Sequence, residues 1–236
     1  MLAGVSVDYY IRLERGNLNG VSERVLDALA RAFQLDEAER AHLFDLARAT
    51  PRTRRRPTRH RVRPGVQRIL DALVGAPAFV FNGRLDILAA NQLGHALYSE
   101  TYTDRVRPAN YARFLFLNPR ATTFCADWDR AADDVVGLLR VAVGRDPHDR
   151  SLSDVVGELS IRGNDFRVRW AADNVRFRRA GVEHLHHPYV GDLTLSWELL
   201  DLADPGLTLV VYSAEPGTAS HDSLNMLASW AATRKG

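Results

Sequence analysis

The sequence predicts an α+β protein: a small all-α module, then a domain in which an antiparallel sheet carries helices on one face. Three observations predict it. The first 47 residues show helical spacing of apolar side chains and no strand pattern. Phe79-Val80-Phe81 and 84–88 flank Asn82-Gly83, a strong hairpin signal. Strand alternation returns only after a long stretch of helical pattern, with no βαβ alternation and no glycine-rich loop between strand and helix.

In chain order, Ser6 is a candidate N-cap for a helix over 7–16, Asp8 complements the dipole of its first turn, and Gly16 can end it. A second helix follows Ser22, with Val25, Leu26, Leu29, Ala30 and Phe33 at helical spacing. A third begins at Asp36, with Glu39 in a capping-box relation and Leu43, Phe44 and Ala47 beyond. Pro51, Pro57 and Pro64, set among arginines with nothing apolar to bury, make 50–64 a linker between a domain over 1–49 and one over 65–236. The second domain opens with a helix over 65–74, then the hairpin, then a helix over 91–98. Trp128, Ala131, Val135, Leu138, Leu139 and Ala142 mark an amphipathic helix over 128–144, followed by shorter ones over 152–159 and 166–170. Leu193, Leu195, Trp197 and Leu199 alternate with polar residues, Asp204-Pro205-Gly206 turns, and Leu207, Leu209 and Val211 alternate again before a last helix over 220–230.

Composition excludes several classes. With 46% hydrophobic and 25% charged residues and a mean hydropathy of −0.23, the 236-residue chain is neither disordered nor fibrous. It lacks the run of about 18 apolar residues that a membrane span needs, and its first residues carry no signal-peptide pattern, so the expectation is a cytoplasmic protein with no membrane partner. The one cysteine, Cys125, forms no internal disulfide and no thiolate zinc cluster. Charge is uneven: nine arginines and no acid lie from Arg48 to Arg68, between blocks of net −3 and −4. Such a cationic stretch suits either phosphate neutralisation or a solvated spacer.

The run Gly4-Val5-Ser6-Val7-Asp8-Tyr9-Tyr10-Ile11-Arg12-Leu13-Glu14-Arg15-Gly16 resembles the turn and recognition helix of Xre/Cro-type helix-turn-helix regulators, and 25–33 their next helix. His187-Pro188-Tyr189-Val190-Gly191-Asp192-Leu193-Thr194-Leu195 and 204–218, with Phe114-Leu115-Phe116-Leu117-Asn118-Pro119, Asp127-Trp128, 156–160, Phe166-Arg167 and 227–230, resemble the ligand-binding domain of MmyB-like transcription regulators. The resemblance covers nearly the whole chain. It implies a PAS-like sensor that binds a long-chain fatty acid in its interior, coupled to a DNA-binding domain that works as a homodimer. Family members have a first helix, a basic loop and a complete second helix before the turn at which this sequence opens. The expectation is therefore a partial helix-turn-helix, whose recognition helix lacks the partner that crosses the DNA backbone. Either the start is misassigned, or the chain is a sensor with a damaged DNA reader; a stand-alone lipid or small-molecule binder is the competing reading.

The residues expected at the DNA are Val7, Asp8, Tyr9, Arg12 and Arg15 on the recognition helix, with Arg54, Arg55 and Arg56 on phosphates. An ordinary solvated helix face explains the first five equally simply. The expected pocket lining is Phe79, Phe81, Phe114, Phe116, Trp128, Val135, Leu138, Leu139, Phe166 and Trp170. Core packing accounts for all ten, and it is the resemblance that points to a pocket. For a fatty-acid carboxylate the candidate donors are Arg167, Arg169 and Asn91. His184 and His186 share a strand face without the acids that complete a metal site, so neither metal nor cofactor is expected. Ser213, His187 and Asp192 assemble a hydrolase triad on paper, but no Gly-x-Ser-x-Gly elbow accompanies them, and an enzyme is not expected.

Overall fold

Two helices of the N-terminal segment are described, and the second starts at a side-chain cap. In the computed structural model, which describes residues 22–48, 62–103, 107–172 and 178–233, Ser22 has extended backbone ahead of α1 (Glu23–Ala32), which buries Leu26, Leu29 and Ala30. Gln34 turns left-handed at φ 54°, and α2 (Glu37–Arg48) follows. Its start is the capping box that the sequence predicts: Glu39 N–H donates to Asp36 Oδ1 at 2.8 Å, and Asp36 N–H donates to Glu39 Oε2 at 2.9 Å. The expected helix over 7–16 and most of the linker, Arg54, Arg55 and Arg56 included, lie outside the described residues.

Pro64 occupies the first turn of α3 (Pro64–Ala72), where a missing N–H costs nothing. Arg63, just before it, donates from Nε to Asp204 Oδ2 at 2.6 Å. The strands are β1 (Ala78–Asn82), β2 (Ile87–Ala90), β3 (Ala180–His187), β4 (Gly191–Asp201) and β5 (Leu207–Ser213), and they form one antiparallel sheet in the order β2-β1-β5-β4-β3. Between β2 and β3 run α4 (Gln92–Leu97), a 3₁₀ turn (Ser99–Thr103), α5 (Tyr111–Leu117), α6 (Ala121–Phe124), α7 (Trp128–Arg145), α8 (Arg150–Arg162) and α9 (Asn164–Ala171); α10 (Ala219–Thr233) ends the fold. The architecture is α+β, as the order of sequence patterns predicts.

Strand alternation sorts the core into two layers. Phe79, Phe81, Glu183, Leu185, His187, Leu193, Leu195, Val210 and Tyr212 point to the face covered by α4 to α10. Ala78, Val80, Leu207 and Leu209 point to the other face, where α3 covers them with Val66 and Leu70. The main helical layer is thus on one face, and α3 adds a smaller cover to the other. α2 packs against α7, so the N-terminal segment touches the helix that spans the domain.

The hairpin differs from a two-residue Asn-Gly turn. The Asn82 side chain accepts the N–H groups of Arg84 at 2.9 Å and Asp86 at 3.1 Å, which organises a wider loop, and the left-handed residue is Leu85 at φ 62°. α8 starts earlier than its apolar pattern because Asp149 Oδ1 accepts the N–H groups of Ser151 and Leu152. α5 and α6 escape the sequence reading because they are seven and four residues long, too short to set a period.

Candidate functional site

The floor of the helix-covered sheet face is not apolar throughout. Phe79 and Phe81 of β1, Val182 and Glu183 of β3, Trp197 and Leu199 of β4, and Val210 and Tyr212 of β5 form one wall of a pocket. The opposite wall is a single stripe beginning just before α7: Asp127, Arg130, Ala131, Asp134, Val135 and Leu138, three and four residues apart. Leu85, Tyr111, Cys125 and Arg178 complete it. The enclosed space is about 70 Å³, and the whole depression, out through its open mouth, is about 690 Å³.

Charge separates along the depth of this pocket. At the mouth, Arg178 forms a two-toothed ion pair with Asp134, Nε to Oδ1 at 2.9 Å and Nη2 to Oδ2 at 2.6 Å. Arg130 pairs with Asp127 at 3.0 Å and also donates to the Val182 carbonyl. In the interior, Glu183 accepts hydroxyl hydrogen bonds from Tyr98 at 2.9 Å and Tyr212 at 3.0 Å on Oε2, and from Tyr111 at 3.2 Å on Oε1. The Tyr98 and Tyr212 hydroxyls are themselves 2.9 Å apart. Burial pushes the Glu183 carboxyl above the ordinary carboxylate range, and the three hydroxyls pull it back only in part. Burial likewise raises the three tyrosines and the Cys125 thiol, which keeps that thiol protonated and inert.

Of the residues the sequence nominates, Phe79, Phe81, Val135 and Leu138 line this pocket. The others stand elsewhere. Phe114, Leu139 and Phe166 belong to the packed core, with Phe116, Trp128 and Trp170 half-buried against it. Phe116 meets Phe166 edge-on at 5.0 Å, and Phe166 stacks on Trp170 at 5.4 Å. Arg169 pairs with Asp129 and Asp133 beneath the Trp128 ring, and Arg167 reaches Asn164 at 2.6 Å. Asn91 caps α4: its Oδ1 accepts the N–H groups of Gly94 and Ala78, and its amide donates to the carbonyls of Leu73 and Ala76. His184 and His186 do share the outer strand face, where they meet Thr194 and Asp192. His187 points inward, its ring nitrogens engaged by the Ala96 carbonyl and the Tyr189 N–H, while Asp192 belongs to His186; the paper triad is not assembled that way.

Glu183, its three tyrosines, Trp197, Arg130 and Arg178 escape sequence reasoning. A signal for Glu183 exists all the same: it occupies the inward phase of β3 with Leu185 and His187, a charged residue where alternation demands an apolar one.

A family model of the MmyB-like transcription regulator ligand binding domain matches residues 62–227, and one of a helix-turn-helix domain matches 1–43. No curated protein matches the chain. Among the described residues, no helix is long and apolar enough to cross a membrane. The pocket therefore lies within the matched ligand-binding domain, behind a match to a DNA-binding one, and the chain belongs to the MmyB-like transcription regulators.

Proposed function

We propose that this DNA-binding regulator senses an apolar small molecule between its sheet and α7, and that an acyl chain of the long-chain fatty-acid class is the ligand the family resemblance favours. One observation carries the reading: the pocket wall supplied by α7 belongs to the same helix against which α2 packs, and α2 begins inside the helix-turn-helix match. Occupancy of the pocket thus bears on the DNA-reading end through one rigid element. The enclosed space is smaller than the ~300–1,000 Å³ usual for small-molecule sites, so a long chain displaces side chains or runs out along the open depression. A carboxylate head then lies at the mouth between Arg130 and Arg178, competing with Asp127 and Asp134; Arg167, Arg169 and Asn91 are already engaged away from it.

On the DNA side the reading retains the recognition-helix set Val7, Asp8, Tyr9, Arg12 and Arg15, a linker over 50–64 and a homodimer on two half-sites. The test is linkage. Operator affinity is measured by fluorescence anisotropy with and without a saturating alkyl-chain ligand, and ligand affinity with and without operator. The two fold-changes are expected to be equal and different from one. A ligand that binds without altering operator affinity removes the sensor role, and a delipidated protein that binds no alkyl chain removes the pocket as a site.

A further inference from the structure

Glu183 is a buried carboxyl without a cation. Three phenolic hydroxyls hydrogen-bond it, yet among the described residues no basic side chain forms an ion pair with it. The basic groups that line the same pocket are engaged: Arg178 with Asp134, Arg130 with Asp127 and the Val182 carbonyl. His187, two residues along the same strand face from Leu185 and four from Glu183, has both ring nitrogens on backbone groups. Phenols lend hydrogen bonds to a carboxylate but no positive charge, so the ionised form of Glu183 gains from a cation beside it. The surroundings suit that cation. Phe79, Tyr98, Tyr111 and Tyr212 cluster with ring centroids 5.4–5.9 Å apart, and Trp197 adds an indole to the wall, a set of π faces that attract a positive group. Oε1 carries one hydroxyl where Oε2 carries two, which leaves acceptor capacity on Oε1, beside Tyr111 in the pocket lining.

We propose that Glu183 anchors the ammonium group of an apolar amine that enters the pocket head first, its hydrocarbon body lying against Phe79, Leu138 and Val210. The proposal rests on the pocket being a ligand site and goes further by naming the head group. A carboxylic acid in the same orientation sets two carboxyls together, so acids hold their heads at the mouth and amines at the floor. The pocket discriminates between amphiphiles by the sign of the charge.

The experiment is isothermal titration of the full chain, stripped of bound lipid, with octylamine, octanol and octanoate at one pH near 7.5. Octylamine is expected to bind about tenfold tighter than the neutral octanol, as a charge-assisted contact in a desolvated site allows, while octanoate binds through its head at the mouth. Glu183→Gln, which keeps shape and an acceptor, is expected to bring octylamine to within about twofold of octanol. Tyr111→Phe, a milder change that unloads Oε1, is expected to keep the preference for the amine. Octanol equal to octylamine in the unaltered protein, a Glu183→Gln variant that retains the tenfold preference, or a Tyr111→Phe variant that prefers the alcohol each overturns the assignment. Binding of octanol and octanoate without any amine advantage defeats the head-group assignment alone. Binding of none of the three defeats the pocket reading with it.

Discussion

Gly181 on β3 stands opposite Trp197 on β4, and a Cβ at Gly181 falls 2.9 Å from Cζ2 and 3.1 Å from Cε2 of the indole. The glycine is the room into which the pocket-lining ring lies back. Gly181→Ala is expected to displace that ring, weaken binding of alkyl ligands about tenfold and cost about 1–3 kcal/mol by overpacking. Calorimetric titration and urea unfolding measure the two effects; unaltered affinity shows that the indole swings away from the pocket instead.

Glu183 makes stability depend on pH with a definite sign. Its carboxyl is held above the ordinary value of 4.5, chiefly by burial, so the folded protein keeps a proton that the unfolded chain loses. The stability it contributes is complete below that ordinary value and is lost as pH rises through the folded one. Glu183→Gln removes this loss, and the variant is expected to gain on the unaltered protein steadily as pH rises from the ordinary value through the folded one. His187 acts in the opposite sense: burial lowers its pKa, so its contribution is present above the ordinary 6.5 and is lost as pH falls through the folded value. Urea titrations across the range test both, and a stability difference between Glu183→Gln and the parent that does not vary with pH contradicts the first.

Adjacent leucines on α7 separate packing from binding. Leu139 is fully buried in the core, while Leu138 faces the pocket. Leu139→Ala is expected to cost about 2–5 kcal/mol and leave the chain-length preference for ligands unchanged. Leu138→Ala is expected to cost less and to move the preferred ligand to a longer chain by about one or two carbons, since each methylene leaving water contributes about 0.8 kcal/mol. Titration with a homologous series decides it; identical preferences in the two variants place the ligand elsewhere.

The arginines before α3 are open to a salt titration. Replacing Arg54, Arg55 and Arg56 with alanine is expected to weaken binding to operator and random DNA alike, and to flatten the slope of log affinity against log salt by roughly 0.9 for each phosphate no longer neutralised. An unchanged slope makes the stretch a spacer.

Elements with a free surface are legible in the sequence, because a solvated face imposes a period. α1, α7 and β4 show this, as does the capping box of α2, where two side chains three residues apart carry the whole signal. α5 and α6 are not legible, being seven and four residues long and too short to show a helical period. A different limit hides the pocket. Phe79 and Phe114 are both buried aromatics, and only the fold decides that the first meets open space and the second meets Phe124 at 5.8 Å. The polar floor is assembled from Tyr98, Tyr111, Glu183 and Tyr212, which share no local spacing; the strand register and the placement of α4 and α5 bring them together.

β5 divides its side chains between two masters. Val210 and Tyr212 look into the pocket, while Leu209 and Val211 support α3 on the far side of the sheet. The two pairs share peptide groups, so the pocket wall and the seat of α3 are opposite faces of one main chain. α3 follows the arginine-rich stretch in sequence, and Arg63 at its start pairs with Asp204 between β4 and β5. The pocket and the seat of α3 are therefore separated by the thickness of one strand's main chain.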